Sequence, residues 1–336
     1  VENEGTGNGR RAIGYGHGAT TVTEHRLEFG IYLPQVAMSW DDIATRARLA
    51  DETGIDSLWF YDHLYSPGQP DLPSFEAWTL ATYVLATTTR LRVGHLVLCN
   101  SFRHPALLAK MAATLDVLSD GRLEIGLGSG SVELEHRQAG LEWGTLAERS
   151  ERLEESLAIL TAMFEHGTTT FRGSHFALDE LPNLPPPVQR PRPPIHIGGT
   201  GRRRTLPLVA RYADVWNVPT YGLADWEDAQ RVLDRECERI GRDPSTLRRS
   251  HEAVLVLAPD DATLAEALAR AERRYGGPGW GLAAGGYVGT PNAVIDQIAA
   301  AHDKGVSLFV FITHDRADPR TLELIAEHLV PAFRSG

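Results

Sequence analysis

At 336 residues, with 42% hydrophobic and 23% charged content, the chain can hold one large α/β barrel or two ordinary domains of globular composition. Acidic residues outnumber basic ones 44 to 33, a formal charge of −11, and no basic stripe offsets it, which excludes a nucleic-acid partner. Two cysteines, Cys99 and Cys237, rule out a disulfide framework or a thiolate zinc site; no apolar run approaches membrane-spanning length, so a soluble cytoplasmic enzyme is expected.

Residues 1–26 are rich in Gly and Thr without a hydrophobic period and read as a flexible tail. Their glycines do not form a phosphate loop, since no strand precedes them and no helix follows, and the stretch has no apolar run of the secretory type. Residues 27–336 read as a single domain. Strands are predicted at 28–33, 57–61, 92–98, 123–127, 194–197, 213–217, 251–257 and 307–313. Between them lie helical patterns at 40–53, 75–88, 105–118, 147–165, 202–211, 224–240, 291–304 and 319–330. Short apolar strands alternating with amphipathic helices predict a parallel sheet covered by helices. Their repetition predicts a (β/α)8 TIM barrel with insertions; an open doubly wound sheet is the competing α/β fold.

Two stretches depart from the repeat. Within 166–193, TTTFRGSHFAL alternates and turns at Arg172-Gly173 like a hairpin, and a proline-rich run follows. Within 258–290, a helix at 261–274 precedes the glycine-dense YGGPGWGLAAGGYVGT, which reads either as a lid or as an irregular connection.

A barrel of this type places its active site at the C-terminal ends of its strands. Those ends carry Gln35, Asp62, His63, Leu96, Val97, Leu98, Asn100, Gly128, Ser129, Gly130, His196, Gly198, Gly199, Thr200, Gly201, Asn217, Thr313 and His314. His63 is the foremost candidate, because a histidine near neutral pKa can give or take a proton. Its bland alternative is packing under the loop while Asp62 caps a turn. The glycines of 198–201 stand between a strand and a helix, where backbone N–H groups can converge on an anion, and Arg202, Arg203 and Arg204 follow. Trp59, Tyr61, Tyr65, Trp216, Trp280 and Tyr287 offer aromatic surface near the mouth, although each is as readily core packing.

The run FRHPALLAKMAATLDVLS-x-GRLEIGLGSG (102–130) resembles the signature of the luciferase-like flavin and deazaflavin oxidoreductases. FGIYLPQ (29–35), SLWFYDHL (57–64), FEAWTLATYVLATTTRLRVGHLV (75–97) and PPIHIGGTG…TLPLVARYADVWNV (193–218) extend the resemblance from Leu27 to Phe333. The match is closest to the branch using coenzyme F420, a deazaflavin, with FMN as the alternative cofactor. The resemblance implies a TIM barrel that moves a hydride between the deazaflavin and a small organic substrate. It places Asp62 and His63 beside the reactive ring, with His63 as proton donor or acceptor. It implies a non-prolyl cis peptide at Leu96–Val97 against the ring, a ring-adjacent loop at Gly128–Gly130, and a phosphate loop at Gly198–Gly201 extended by Arg202. His136 matches a position used near the ribityl chain or phosphate, although a surface helix histidine is equally consistent. Family members often dimerise, so a homodimer is possible.

Sugar-phosphate dehydrogenases of the family carry an acidic residue directly after the glycine loop, where this chain has Ser131, and the only lysines are Lys110 and Lys304. Both features speak against a sugar-phosphate substrate. The other readings are an FMN-dependent monooxygenase, a metal-dependent hydrolase using His63, His95, His196 and His314, and a non-catalytic binding protein. The metal reading lacks a His-x-His pair or an HExxH helix, and the dinucleotide fingerprint is absent because GLGSGSVE breaks the glycine spacing.

Overall fold

The apolar strands and amphipathic helices close on themselves. The computed structural model describes residues 26–276 and 281–334; almost all of the expected tail, and Trp280, lie outside the described residues. In chain order the elements are β1 (Glu28–Tyr32), α1 (Trp40–Thr53), β2 (Ser57–Phe60), α2 (Ala77–Thr87), β3 (Arg92–His95), β4 (Leu98–Cys99), α3 (Pro105–Leu118), β5 (Ile125–Gly128), α4 (Glu133–Gln138) and α5 (Leu146–Glu165). The hairpin β6 (Thr168–Arg172) and β7 (Ala177–Pro182) follows, then β8 (Ile195–Gly198), α6 (Thr205–Tyr212), β9 (Val215–Val218), α7 (Trp226–Arg239), β10 (Arg248–Leu257) and α8 (Asp261–Tyr275). The chain ends with β11 (Gly286–Gly289), α9 (Pro291–His302), β12 (Val306–Thr313), α10 (Pro319–Leu324), a π-turn at Ile325–Leu329 and α11 (Val330–Ala332).

The barrel strands pair in parallel in the order β3-β2-β1-β12-β10-β9-β8-β5-β4. The two ends of this path meet: Val93 N donates to Arg122 O at 3.0 Å and Glu124 N donates to Val93 O at 2.9 Å. The TIM-type barrel, rather than the open sheet, is therefore the architecture. The predicted hairpin is present as an antiparallel pair, and Glu155 secures its turn by accepting from the N–H groups of Ser174, His175 and Phe176.

Three expectations differ from the structure. The strand read as 92–98 is two segments, β3 and β4, and the Leu96–Val97 bond between them is cis. The helix read from 202 begins at Thr205, because residues 202–204 form a turn and Leu206 N donates back to Gly201 O. The glycine-dense insertion contributes β11, a tenth strand in the sheet. It pairs with Val254–Leu257 of β10, beyond the Arg248–His251 stretch that pairs with β9, and so continues that edge.

Side-chain parity separates two cores. On β12, Phe309 and Phe311 pack outward with the helices, while Leu308, Val310 and Ile312 fill the barrel with Tyr32, Trp59, Tyr61 and Leu96. Both faces are apolar, which is why the sequence reads as an unbroken hydrophobic run. Below this layer Trp59 fills the barrel floor against His196, ring centroids 4.7 Å apart. Glu124 and His196 share the floor, Oε2 to Nε2 at 2.7 Å, and Arg92 Nε donates to Glu124 Oε1. Burial alone would raise the Glu124 carboxyl, but Arg92 and His196 outweigh it and hold it down at about 2.

The floor has no spare room. A Cβ added at Gly94 would lie 2.5 Å from Trp59 Cζ3 and 2.7 Å from Glu124 Cβ. Gly94→Ala is expected to cost about 1–3 kcal/mol in a urea unfolding experiment, the ordinary penalty of overpacking a core.

Candidate active site

A cavity of about 560 Å³ opens at the C-terminal ends of the strands. Asp62, His63, Leu96, Val97, Leu98, Gly128, Ser129, Gly130, His136, Gly198, Gly199, Thr200, Gly201 and Asn217 all line it. Sequence reasoning assembled most of this wall. Arg202 stands exposed at the rim and is not part of the lining. Gln35, Asn100, His196, Thr313 and His314 lie elsewhere: Gln35 Nε2 donates to Tyr61 O at 2.6 Å, and His196 belongs to the floor. His95 is buried, stacked on Trp78. The four histidines of the metal reading therefore have separate environments.

β2 runs into Asp62-His63, whose side chains part company. Asp62 is 5% exposed, and its carboxylate accepts two hydrogen bonds from Arg103, at 2.6 and 3.0 Å, and one from Cys99 N at 2.8 Å. It thereby ties the end of β2 to β4 and sets the Leu96–Leu98 wall. His63 Nδ1 lies 2.9 Å from Glu135 Oε2, and Glu135 Oε1 also accepts from Leu64 N. Carboxylate acceptance fixes the proton on Nδ1 and leaves Nε2 for the cavity. Glu135 comes from α4, a six-residue helix too short for periodicity to reveal, so its pairing with His63 escaped sequence reasoning.

His136 is held on both sides. Val132 O accepts from Nδ1 at 2.8 Å, so Nε2 accepts from Ser101 Oγ at 2.6 Å. Cys99 sits beside them, its thiol pushed up to about 11 by burial, which makes it a poor nucleophile at neutral pH.

The loop 198–201 meets the start of α6, where Arg204 provides no side-chain cap; Gly201 O takes Leu206 N and Pro207 has no N–H, which leaves the Thr205 N–H beside the glycine loop. Thr205 joins the lining there. Arg202, Arg203 and Arg204 have no ion-pair partner among the described residues. Arg203 and Arg204 line a groove of about 680 Å³ between α5, α6 and the end of α7, together with Arg211 and Arg239.

Tyr32, Tyr221 and Glu252 complete the wall, and none was foreseen. The signal for Glu252 was parity: in SHEAVLVL it shares the inward face of β10 with Val254 and Val256. Asn217 Nδ2 donates to Glu252 Oε2 at 2.9 Å, and Ser250 Oγ donates to Asn217 Oδ1 at 2.8 Å. Burial pushes the Glu252 carboxyl up from 4.5 to about 7, against the lowering effect of Asn217. The folded protein therefore binds more protons than the unfolded chain between these values, so stability is full below 4.5 and falls as pH rises through 7. The loss amounts to about 3 kcal/mol. Glu252→Gln should abolish that slope, seen as a gain in melting temperature over the parent at pH 8 that is absent at pH 4.5.

A strand-end cavity lined by a carboxylate-oriented histidine and a glycine loop is where a barrel of this type carries its active site. The luciferase-like monooxygenase family model matches residues 19–285, and the chain belongs to that family. It is 30% identical over 236 residues to the F420-dependent hydroxymycolic acid dehydrogenase of Mycobacterium tuberculosis, covering 69% of this chain and 64% of that protein. It is 32% identical over 247 residues to the F420-dependent glucose-6-phosphate dehydrogenase of Microbacterium testaceum, covering 71% of each. The chain thus spans between half and about two thirds of the length of the first curated relatives it matches. An F420-dependent secondary alcohol dehydrogenase, solved with an F420-acetone adduct, superposes with a TM-score of 0.77 at 20% identity over 92% of this chain and 100% of that one, a likeness of fold. The relatives it matches include F420-dependent dehydrogenases and an FMNH2-dependent dimethylsulfone monooxygenase of Pseudomonas putida. Among the described residues, no helix is long and apolar enough to cross a membrane.

Proposed function

We propose that the protein is a coenzyme F420-dependent oxidoreductase moving a hydride between the deazaflavin and a small organic substrate. The observation that carries this reading is His63, oriented by buried Glu135 with Nε2 left for the cavity that also contains the glycine loop and the Leu96–Leu98 wall. Gly198–Gly201 and the Thr205 N–H at the start of α6 would hold the phosphate, since a glycine loop meeting the positive end of a helix dipole favours an anion. Leu96, Val97 and Leu98 with Gly128–Gly130 would support the ring. A Cβ at Gly128 would meet Val97 Cγ2 at 2.6 Å, so glycine is what lets that wall take its shape. Arg202, Arg203 and Arg204 suit the anionic oligoglutamate tail.

The bound deazaflavin supplies a two-electron hydride carrier that reacts poorly with oxygen. His63 gives or takes the accompanying proton at Nε2, while Glu135 steadies the imidazolium formed when it takes one. Asp62, saturated by Arg103 and Cys99 N, positions the wall rather than moving protons.

Fluorescence titration with F420 and, separately, FMN tests the assignment. F420 is expected to bind in preference to FMN, and the Arg203→Ala, Arg204→Ala double variant should weaken F420 by about tenfold, the worth of one charge-assisted contact. Binding of FMN alone would shift the assignment to a flavin monooxygenase.

A further inference from the structure

Three carboxyl groups line the cavity, and one of them has neither an arginine nor a histidine partner among the described residues. Asp62 is matched by Arg103 and Glu135 faces His63. Glu252 is 3% exposed; Asn217 occupies Oε2, and Oε1 has no hydrogen-bond partner among the described residues. An orphaned carboxyl oxygen inside a barrel is costly unless something absent from the bare protein meets it.

The strand order shows where it stands. In a barrel of eight parallel units, β10 is the seventh and β3 the third, so Glu252 lies across the mouth from the Leu96–Val97 wall. A flat ring held by that wall would leave room for a substrate on the side of Glu252. Among the described residues no lysine or arginine lines the cavity, and of its two histidines His136 has both ring nitrogens engaged. The substrate end therefore favours positive over negative charge.

Resting on the hydride-transfer reading above, we propose that Glu252 anchors a basic nitrogen of the substrate: an amine, an iminium or a protonated N-heterocycle. Tyr32 from β1 and Tyr221 after β9 are the titratable groups facing it, and both line the cavity. Burial raises each phenol, and the Glu252 charge raises it further, so both stay neutral and offer aromatic surface beside the cation. With its carboxyl near 7, Glu252 sheds a proton when a cation arrives. A phosphate ester or carboxylic acid would find no such partner, in keeping with Ser131 and the scarcity of lysine.

The test uses choline and its uncharged isostere dimethylbutanol, titrated calorimetrically into the F420-loaded protein. Choline should bind at least about tenfold tighter than the alcohol at pH 8, a preference lost in Glu252→Gln and retained in Glu252→Asp. In the unaltered protein choline affinity should rise about tenfold per pH unit below 7 and level off above it, with proton release in buffers of different ionisation enthalpy. That measurement stands even if the glutamine variant does not fold. Turnover should favour a cyclic iminium such as pyrrolinium over the neutral ketone cyclopentanone. Equal binding of the two isosteres, binding of neither, a flat pH profile, or unchanged preference in Glu252→Gln overturns the proposal. Failure of F420 itself to bind overturns the underlying reading instead.

Discussion

His63→Asn is expected to lower turnover by about 10²–10⁴-fold while leaving F420 affinity little changed. Asparagine keeps a polar group near Glu135 but has no nitrogen that can exchange a proton near neutrality. Glu135→Gln should cost less, because it removes the acceptor that fixes the Nδ1 proton while sparing the imidazole itself. Stopped-flow oxidation of the reduced cofactor separates chemistry from binding. A His63→Asn protein with unaltered turnover would leave the proton without a carrier and favour the monooxygenase reading.

Arg103→Ala should reduce stability by about 3–5 kcal/mol, the usual cost of leaving a buried charge unpaired. Asp62 is 5% exposed, and both its oxygens are bound by the Arg103 guanidinium, which also donates to Glu76 at 2.6 Å. Lysine cannot reproduce the two-pronged contact, so Arg103→Lys should recover only part of the loss. Adding Asp62→Asn to Arg103→Ala removes the stranded charge and should restore some stability, a coupling that a double-mutant cycle in urea will show. A loss below about 1 kcal/mol, the range of exposed pairs, would mean that water reaches Asp62 in the folded state.

The barrel was legible because its main strands are short apolar runs and its longer helices show their period and boundary signals. Pro105 opens α3 and Gly54 closes α1 in the left-handed conformation, both as residue type dictates. The glycine loops and His63 were legible because strand ends in this architecture converge. What escaped was pairing across the chain. Arg103 and Asp62 are 41 residues apart, and His63 and Glu135 are 72 apart, distances over which local pattern carries no information. β11 escaped because four residues rich in glycine carry no strand signature; pairing with β10 makes them one. Glu252 was visible in principle, as a charge at an inward register position, but only once the inward face of β10 was known.

The filled floor has a kinetic corollary. With Trp59 wedged between Gly30 and Gly94 above the Arg92–Glu124–His196 cluster, ligands enter and leave the barrel by its upper end. Two ligands sharing one doorway queue: whichever lies deeper must arrive first and depart last. For the proposed hydride transfer, the expected result is a compulsory-order mechanism, visible as product inhibition competitive against only one of the two reactants.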